Sequence, residues 1–286
     1  MPSRDVRFLL AFDPSYARMA TALVRSLTVF HPGCPIVVHT LDEHVRTLDE
    51  WARAHRFRDV SIVPYRPATA LSFGEWHALV WAKLEAFAAD PDVLEVVLDV
   101  DQILYRDLWA CIDEAAESGK TISASPDISD FRDHVHESFD GCRDLTSSAD
   151  MRCFNAGAMI VRPSKRAYDG LVALAERHHR DVRLPEQAIL NLWAFENGEH
   201  HDLGEKFMIE PWSPKVLEEP IPSCLVHFWT PRPAFFGANP VRSSEPQLES
   251  CLEDFHQATG EPYPLERFER DFRARLHGGF EAGLDV

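Results

Sequence analysis

Two aspartates, Asp99 and Asp101, follow directly on the apolar run at residues 96–98 and are separated by Val100. Side chains two residues apart in an extended strand point to the same side, so both carboxylates can converge where the strand ends. Neighbouring carboxylates repel one another unless a cation or a proton lies between them, and a hard divalent metal ion is the natural cation. The alternative is a strand end whose aspartates cap the following turn, because Asp-x-Asp is a weak motif by itself.

Five further segments place polar residues near the ends of predicted strands and helices. Taken alone, each has an ordinary structural explanation, such as a helix cap, a solvated lysine, a tight turn or a buried core histidine. The residues that could contact a ligand are Ala11, Asp13 and Tyr16, then Lys83, then Asn155 and Gly157, then Glu186 and Gln187, and finally His227 and Arg232. Their order along the chain is more informative than any one of them.

In this order the segments resemble glycosyltransferase family eight, whose retaining members include bacterial lipopolysaccharide galactosyltransferases and the glycogenins. The segments that carry the resemblance are Ala11-Phe12-Asp13-Pro14-Ser15-Tyr16, Trp81-Ala82-Lys83-Leu84, Phe154-Asn155-Ala156-Gly157, Leu184-Pro185-Glu186-Gln187 and His227-Phe228-Trp229-Thr230-Pro231-Arg232. The resemblance covers residues 6–235. It implies an α/β protein of the GT-A fold, with a Rossmann-like, mostly parallel central sheet flanked by helices.

The resemblance also implies a reaction, the retaining transfer of a hexose from a UDP-sugar to a hydroxyl group of an acceptor. Galactose and glucose are the family's commonest donor sugars. Asp99, Asp101 and His227 would hold Mn²⁺, with Mg²⁺ as the alternative. The other residues that would contact the donor nucleotide, its diphosphate or its sugar are Ala11, Asp13, Tyr16, Lys83, Val100, Gly157 and Arg232. Asn155, Glu186 and Gln187 would lie at the reacting sugar and act in catalysis.

This chain departs from the family pattern at four positions. Ser15 stands where the family has Asn, Glu186 where it has Asp, and Ala234 where it has Trp. Arg232 lies one position nearer to the histidine than the family's Lys. We therefore expect the choice of donor sugar and the loop that closes over the donor to differ from those of relatives.

Two other functions remain open at this stage. A phosphatase of the haloacid dehalogenase type also places Asp-x-Asp after an apolar strand, but its motif lies near the start of the chain and continues with a small residue. Here Gln102 follows the motif, which lies nearly a hundred residues into the sequence. A protein that binds a nucleotide sugar without transferring it would use the same residues. The acceptor is not predicted, because acceptor pockets are built from variable loops.

The composition argues against a nucleic-acid partner and bears on the state of the cysteines and on location. Lys+Arg 29 against Asp+Glu 46 gives a net charge of −17, which repels the phosphates of a nucleic acid. A small phosphorylated donor is still expected to bind, because a metal ion and a few cations can reverse the sign of charge inside one cleft. The six cysteines contain no Cys-x-x-Cys pair, which indicates reduced thiols. No run approaches the roughly 18 apolar residues of a membrane span, so we expect a cytoplasmic protein.

The elements that must position these residues alternate between strand and helix periodicity. The predicted strands lie at residues 6–12, 35–41, 60–64, 94–100, 121–125, 156–161 and 225–229, and the predicted helices at 15–30, 45–55, 75–88, 108–117, 165–178 and 185–193. Such alternation predicts a mostly parallel sheet wrapped by helices. The polar stretch at residues 127–152 is predicted to be a surface loop or lid. Its His134 and His136 are predicted to be solvated, with metal binding by Asp133-His134-Val135-His136 as the alternative.

We predict a transferase domain over residues 1–240 and a helical extension over 241–286 that packs on it. The extension contains predicted helices at 247–257 and 265–276. The second helix carries an apolar stripe beside four arginines. This pattern predicts packing on the protein's own core, with peripheral contact to a membrane or a partner as the alternative.

Overall fold

The central sheet has seven strands, and a second, smaller sheet has three. The computed structural model describes residues 5–66, 75–136, 139, 152–228 and 245–278. The strands are β1 (Asp5–Ala11), β2 (Ile36–Thr40), β3 (Val60–Pro64), β4 (Val93–Leu98), β5 (Gln102–Leu104), β6 (Ile122–Asp130), β7 (Arg152–Val161), β8 (His200–Asp202), β9 (Met208–Ile209) and β10 (Leu225–His227). The large sheet has the order β3-β2-β1-β4-β7-β6-β8, and the small one β5-β10-β9. Within the large sheet only the two pairings made by β7, with β4 and with β6, are antiparallel.

Helices cover both faces of the large sheet. They are α1 (Ala17–Phe30), α2 (Val45–Ala54), α3 (Glu75–Val80), α4 (Trp109–Ser118), α5 (Phe131–His134), α6 (Lys165–His178), α7 (Pro185–Asn197), α8 (Glu245–Thr259) and α9 (Leu265–His277). Apolar residues in β1 pack alternately into two cores, since Phe8 and Leu10 belong to one and Leu9 to the other. A strand that is covered on both faces must be apolar at successive positions, which explains the continuous apolar runs of the sequence. The predicted α/β, mostly parallel architecture is confirmed.

Two local predictions need correction. The helix predicted over residues 75–88 ends at Val80, and a 3-10 helix (Trp81–Phe87) continues the chain. The loop predicted over residues 127–152 is partly regular, because β6 extends to Asp130 and α5 follows at once. His134 in α5 is fully buried rather than solvated, whereas His136 is exposed. Residues 137–138 and 140–151 lie outside the described residues.

The last helix, α9, packs on α1 and on the chain next to β5. Phe268 and Phe272 are fully buried, which confirms that the apolar stripe of this helix faces the protein's own core. Arg275 Nε donates a hydrogen bond to the carbonyl oxygen of Leu104, at 2.9 Å. The division into a domain over residues 1–240 and an extension remains a prediction. In the described ranges, every helix is too short or too polar to cross a membrane.

A buried histidine between α1 and β2 makes the fold sensitive to acid. His31 is 1% exposed, and its Nε2 accepts a hydrogen bond from the backbone nitrogen of Leu108 at 3.0 Å. Burial lowers the pKa of His31 to about 4 from 6.5, although nearby Asp107 opposes the shift. Because the unfolded chain binds this proton more readily, stability due to neutral His31 is present above pH 6.5 and is lost as the pH falls towards 4.

We therefore predict that the free energy of unfolding decreases by up to about 1.4 kcal/mol per pH unit between pH 6.5 and 4 on account of His31. Urea unfolding at a series of pH values measures this slope. In His31→Gln the amide oxygen can still accept from the backbone nitrogen of Leu108, but the side chain no longer titrates. The slope of the free energy of unfolding against pH should therefore fall by up to about 1.4 kcal/mol per pH unit, the contribution of one proton. The exposed His136→Gln is the control, and an equal slope in His31→Gln and wild type would contradict the assignment.

Candidate active site

The turn at residues 99–101, directly after β4, is held from both sides by the backbone. The nitrogen of Asp99 donates to the carbonyl oxygen of Gly157 at 2.7 Å, and the nitrogen of Phe228 donates to that of Asp101 at 2.9 Å. Strand β10 pairs antiparallel with β5, so His227 lies opposite Gln102. These bonds bring the end of β4, the middle of β7 and the end of β10 to one point.

Asp99, Asp101 and His227 have ligand atoms that all lie within 4.8 Å of one another. His227 Nε2 is 3.3 Å from Asp101 Oδ1 and 3.8 Å from Asp99 Oδ2. The imidazole is 3% exposed, and neither ring nitrogen forms a hydrogen bond within the described part of the chain. A buried nitrogen without such a bond is costly, and a cation between it and the two carboxylates would supply the missing interaction. Two carboxylates with one imidazole suit Mn²⁺ or Mg²⁺.

Gly157 provides the space for this histidine. A Cβ atom at position 157 would lie 2.1 Å from Cε1 and 2.6 Å from Nδ1 of His227. Both positions belong to a buried ring, and no real side chain tolerates such a contact. The approach of His227 therefore requires a glycine at position 157, which lies inside β7 and not in a turn.

We predict that Gly157→Ala displaces His227 and weakens Mn²⁺ binding by at least about tenfold, because one of three ligands leaves its position. Titration of Mn²⁺ by isothermal calorimetry checks this. Gly260→Ala is the control, since a Cβ there meets nothing within 4 Å. Its positive φ of 73° should cost about 1 kcal/mol of stability without changing metal affinity. Equal Mn²⁺ affinity in Gly157→Ala and the control would rule out the assigned role of Gly157.

Lys83 joins the predicted metal site to the start of α7. Its Nζ lies 2.8 Å from Asp99 Oδ1, 2.9 Å from Glu186 Oε1 and 3.3 Å from the carbonyl oxygen of Ala156. Burial by itself would lower the pKa of Lys83, but the two carboxylates outweigh it and raise the pKa above its ordinary value. Lys83 is therefore a permanent cation in this cluster.

The Asp99 carboxyl has the opposite balance. Burial raises its pKa, and Asp101 raises it further, while the charges of Lys83 and His227 oppose the shift. The Asp99 side chain is nevertheless 31% exposed, and it lines the cleft. The site therefore favours an added positive charge next to Asp99.

Asn155 and Gln187 are fixed by hydrogen bonds on both sides of each amide. Asn155 Oδ1 accepts from the nitrogen of Gly157 at 2.8 Å, and Gln187 Oε1 accepts from that of Ala156 at 2.9 Å. Both amide nitrogens donate to Asp127 Oδ2, from Asn155 at 3.2 Å and from Gln187 at 2.8 Å. The backbone N–H groups and the carboxylate together fix the orientation of each amide.

All of these groups line one cleft of about 380 Å³. Every predicted site residue that the structure describes contributes to it: Ala11, Asp13, Tyr16, Lys83, Asp99, Val100, Asp101, Asn155, Gly157, Glu186, Gln187 and His227. Arg232 and Ala234 lie outside the described residues. Leu79, Val80 and Ser129 also line the cleft and were missed, because an apolar pair in a helix and a serine in a polar stretch give no signal in the sequence.

Asp13 has a structural role as well as a place in the cleft. It is the N-cap of a short 3-10 helix (Pro14–Tyr16), and its Oδ1 accepts from the nitrogen of Ser15 at 2.7 Å. This bond orients the carboxylate at the end of β1. The cap and the predicted nucleotide contact are compatible, because a carboxylate has a second oxygen.

No protein family model matches the sequence, and no curated protein matches it. Solved structures do match, and among them is the galactosyltransferase LgtC in complex with donor and acceptor sugar analogs. It is 18% identical to this chain with a TM-score of 0.58, and the match covers 92% of this chain and 99% of LgtC. Apo GlyE from Streptococcus pneumoniae is 15% identical with a TM-score of 0.55, over 97% of this chain and 63% of GlyE. Apo mouse xyloside xylosyltransferase 1 is 12% identical with a TM-score of 0.52, over 80% of this chain and 99% of that one.

This chain has the GT-A fold of glycosyltransferases. The similarity confirms the fold implied by the resemblance to family eight. In this GT-A fold the cleft lies at the carboxyl ends of the parallel strands β1 and β4, where open α/β sheets bind their ligands. The Asp-Asp-His cluster lies in the wall of that cleft, and the amides of Asn155 and Gln187 line it as well.

Proposed function

We propose that this chain is a metal-dependent, retaining glycosyltransferase that moves a hexose, galactose or glucose, from a UDP-sugar to a hydroxyl group of an acceptor. The observation that carries the proposal is the convergence of Asp99, Asp101 and His227 in a cleft that also presents fixed amides. The GT-A fold, which the matched glycosyltransferases share, supports the same class of reaction. The proposal therefore has two separate supports, the residues of the cleft and the fold.

The donor would lie along the cleft from β1 to α7. Ala11, Asp13 and Tyr16 at the end of β1 would receive the nucleotide, and the diphosphate would lie over the turn at residues 99–101. A divalent ion held by Asp99, Asp101 and His227 would, when bound, neutralise charge on the diphosphate as it leaves. Lys83, 2.8 Å from Asp99, contributes a fixed positive charge beside it, and Arg232 is proposed as a further phosphate contact.

The sugar would lie over Asn155 and Gln187. Their amides are held before the donor arrives, so little reorganisation is needed at the moment of reaction. Two carboxylates of the cleft next to these amides already have partners, since Glu186 pairs with Lys83 and Asp127 accepts from both amides. We therefore propose a front-face path, in which the acceptor hydroxyl attacks the anomeric carbon on the side that the leaving diphosphate occupies. The bond from that carbon to the diphosphate breaks, and the departing phosphate takes the proton of the hydroxyl. Trapping a glycosyl adduct on Glu186 or Asp127 by mass spectrometry would contradict this path.

Hydrolysis of a panel of nucleotide sugars tests the proposal without knowledge of the acceptor. We expect release of UDP from UDP-galactose or UDP-glucose that requires Mn²⁺ or Mg²⁺ and stops on addition of EDTA. Nucleotide sugars with other bases are the matched controls for the base. Two outcomes would replace the proposal: binding of UDP-sugars without turnover indicates a nucleotide-sugar binder, and phosphate release from simple phosphate esters indicates a phosphatase.

A further inference from the structure

Ser129 contacts the Oδ1 oxygen of Asp127, whereas the two amides contact its Oδ2 oxygen, and His134 lies next to Ser129. The Ser129 hydroxyl donates to Asp127 Oδ1, and the Ser129 backbone nitrogen donates to the same oxygen at 2.8 Å. His134 Nε2 is 2.7 Å from the Ser129 hydroxyl oxygen. His134 is fully buried, so this arrangement is not a surface contact.

The number of hydrogens on each group sets the direction of each bond. A serine hydroxyl has a single hydrogen, and here it lies on the bond to Asp127, because an ionised carboxylate can only accept. His134 Nε2 must then carry the hydrogen of its own bond and donate it to Ser129. The result is a relay in which His134 donates to Ser129, and Ser129 donates to Asp127.

The relay leaves Asp127 saturated. Its carboxylate accepts from the Ser129 nitrogen, the Ser129 hydroxyl, Asn155 Nδ2 and Gln187 Nε2. Two carboxylate oxygens offer about four acceptor sites in all, so no acceptor site is left for a substrate hydroxyl. In this arrangement Asp127 orients the amides, and the amides are the groups that meet the ligand.

His134 also holds the start of α7 through its backbone. Its carbonyl oxygen accepts from the nitrogen of Arg183 at 2.7 Å and from that of Leu184 at 3.3 Å. Gln187 lies in the first turn of α7, and its amide nitrogen is 3.4 Å from His134 Nε2. His134 therefore contacts Gln187 directly and reaches Asp127 through Ser129.

We infer that Ser129 and His134 are positioning residues, which fix the Asp127 carboxylate and through it present the amides of Asn155 and Gln187 to the donor sugar. The consequence for sugar transfer rests on the proposed function, whereas the orientation of the amides does not. Ser129→Ala removes the donor of the relay and Ser129→Thr keeps it. At the other position His134→Phe removes the donor, while His134→Gln keeps an N–H near the place of Nε2.

The orientation is tested by NMR of the uniformly ¹⁵N-labelled protein, with the side-chain amide signals assigned by their loss in Asn155→Asp and Gln187→Glu. We expect Ser129→Ala and His134→Phe to shift the signals of both Asn155 and Gln187. Ser129→Thr, His134→Gln and the exposed control His136→Gln should leave both signals in place. Unchanged amide signals in Ser129→Ala and His134→Phe would overturn the inference, whether or not any donor is turned over.

The consequence is tested by donor hydrolysis and by calorimetric binding of UDP with Mn²⁺. We expect Ser129→Ala and His134→Phe to reduce kcat by ten- to a hundredfold, about the cost of misplacing a reacting group. UDP affinity should stay within twofold of wild type, because UDP lacks the sugar, and Ser129→Thr should restore kcat. An equal loss of UDP affinity and kcat, or no loss of kcat, would overturn the positioning role. A wild-type protein without turnover would instead count against the proposed function, and the NMR result would still decide the inference.

Discussion

Asp101→Asn is expected to reduce turnover of the sugar donor by about a hundred- to a thousandfold, the cost of removing one preorganised charge interaction from a transition state. Asp101 is 2% exposed, and its Oδ1 is the carboxylate oxygen closest to His227, at 3.3 Å. An amide of the same shape keeps the packing but loses the charge that a divalent ion requires. The measurement is kcat for release of UDP at saturating Mn²⁺, together with the Mn²⁺ affinity.

The matched control is Asp113→Asn, which removes a carboxylate from the exposed face of α4. It changes the net charge of the protein by the same amount and should leave both quantities unchanged. If Asp113→Asn weakened Mn²⁺ binding as much as Asp101→Asn, the effect would be due to overall charge and not to a metal site. If neither variant changed turnover, the assignment of the metal site would be wrong.

Lys83→Met is expected to lower the free energy of unfolding by about 3 kcal/mol, because it leaves buried carboxylates without their cation. Lys83 is 4% exposed and forms ion pairs with both Asp99 and Glu186, whose side chains are 31% and 11% exposed. The partial exposure of Asp99 places the cost near the lower end for buried ion pairs. Urea unfolding in the presence of EDTA measures it.

Lys165→Met provides the comparison, since its ion pair with Asp169 is fully surface-exposed, with the lysine side chain 86% accessible. Such pairs contribute less than about 1 kcal/mol. Added Mn²⁺ should stabilise wild type and both variants, since all three keep the ligands of the proposed metal site. Compared with wild type at the same Mn²⁺ concentration, the loss in Lys83→Met should become smaller, because a second cation next to Asp99 replaces the missing charge, and the loss in Lys165→Met should not change. If both lysine variants lost a similar free energy of unfolding, the buried ion pairs of Lys83 would contribute no more to stability than a surface pair.

The parts of the fold that the sequence predicted are those where one periodicity dominates. Residues 94–100 are apolar on both faces, and β4 does occupy Val93–Leu98, followed by the turn with Asp99 and Asp101. The extension of β6 beyond Ser125 could not be predicted, because Pro126 and the polar residues after it are typical of a loop. Its pairing with β7 is irregular there, with two shifts of register, and irregular pairing leaves no alternating pattern.

The small sheet escaped prediction for a different reason. Strands β5, β9 and β10 have three, two and three residues, and no periodicity can be read from so few positions. Residues 225–229 were predicted as a strand, but their antiparallel partner β5 was not. As a result the sequence placed His227 within a strand without indicating what brings it to Asp101.

The ion pairs of Lys83 are side-chain contacts that could not be predicted from the sequence. The resemblance implied that Lys83 contacts the diphosphate or the sugar of the donor, and that remains a prediction, but the ion pairs of Lys83 with Asp99 and Glu186 were not predicted. The partners lie far apart in the chain, and an ion pair leaves no local pattern. The same ion pair gives Glu186 a structural role, because its carboxylate accepts a hydrogen bond from Lys83 Nζ at 2.9 Å.

The pairing of β5 with β10 also bears on how the protein is made. The aspartates leave the ribosome well before His227, and the last strand that completes their cluster is held only by short segments on either side. A growing chain that ends before β10 holds the carboxylates without the imidazole. The Asp-Asp-His cluster is therefore completed late in synthesis, when β10 pairs with β5.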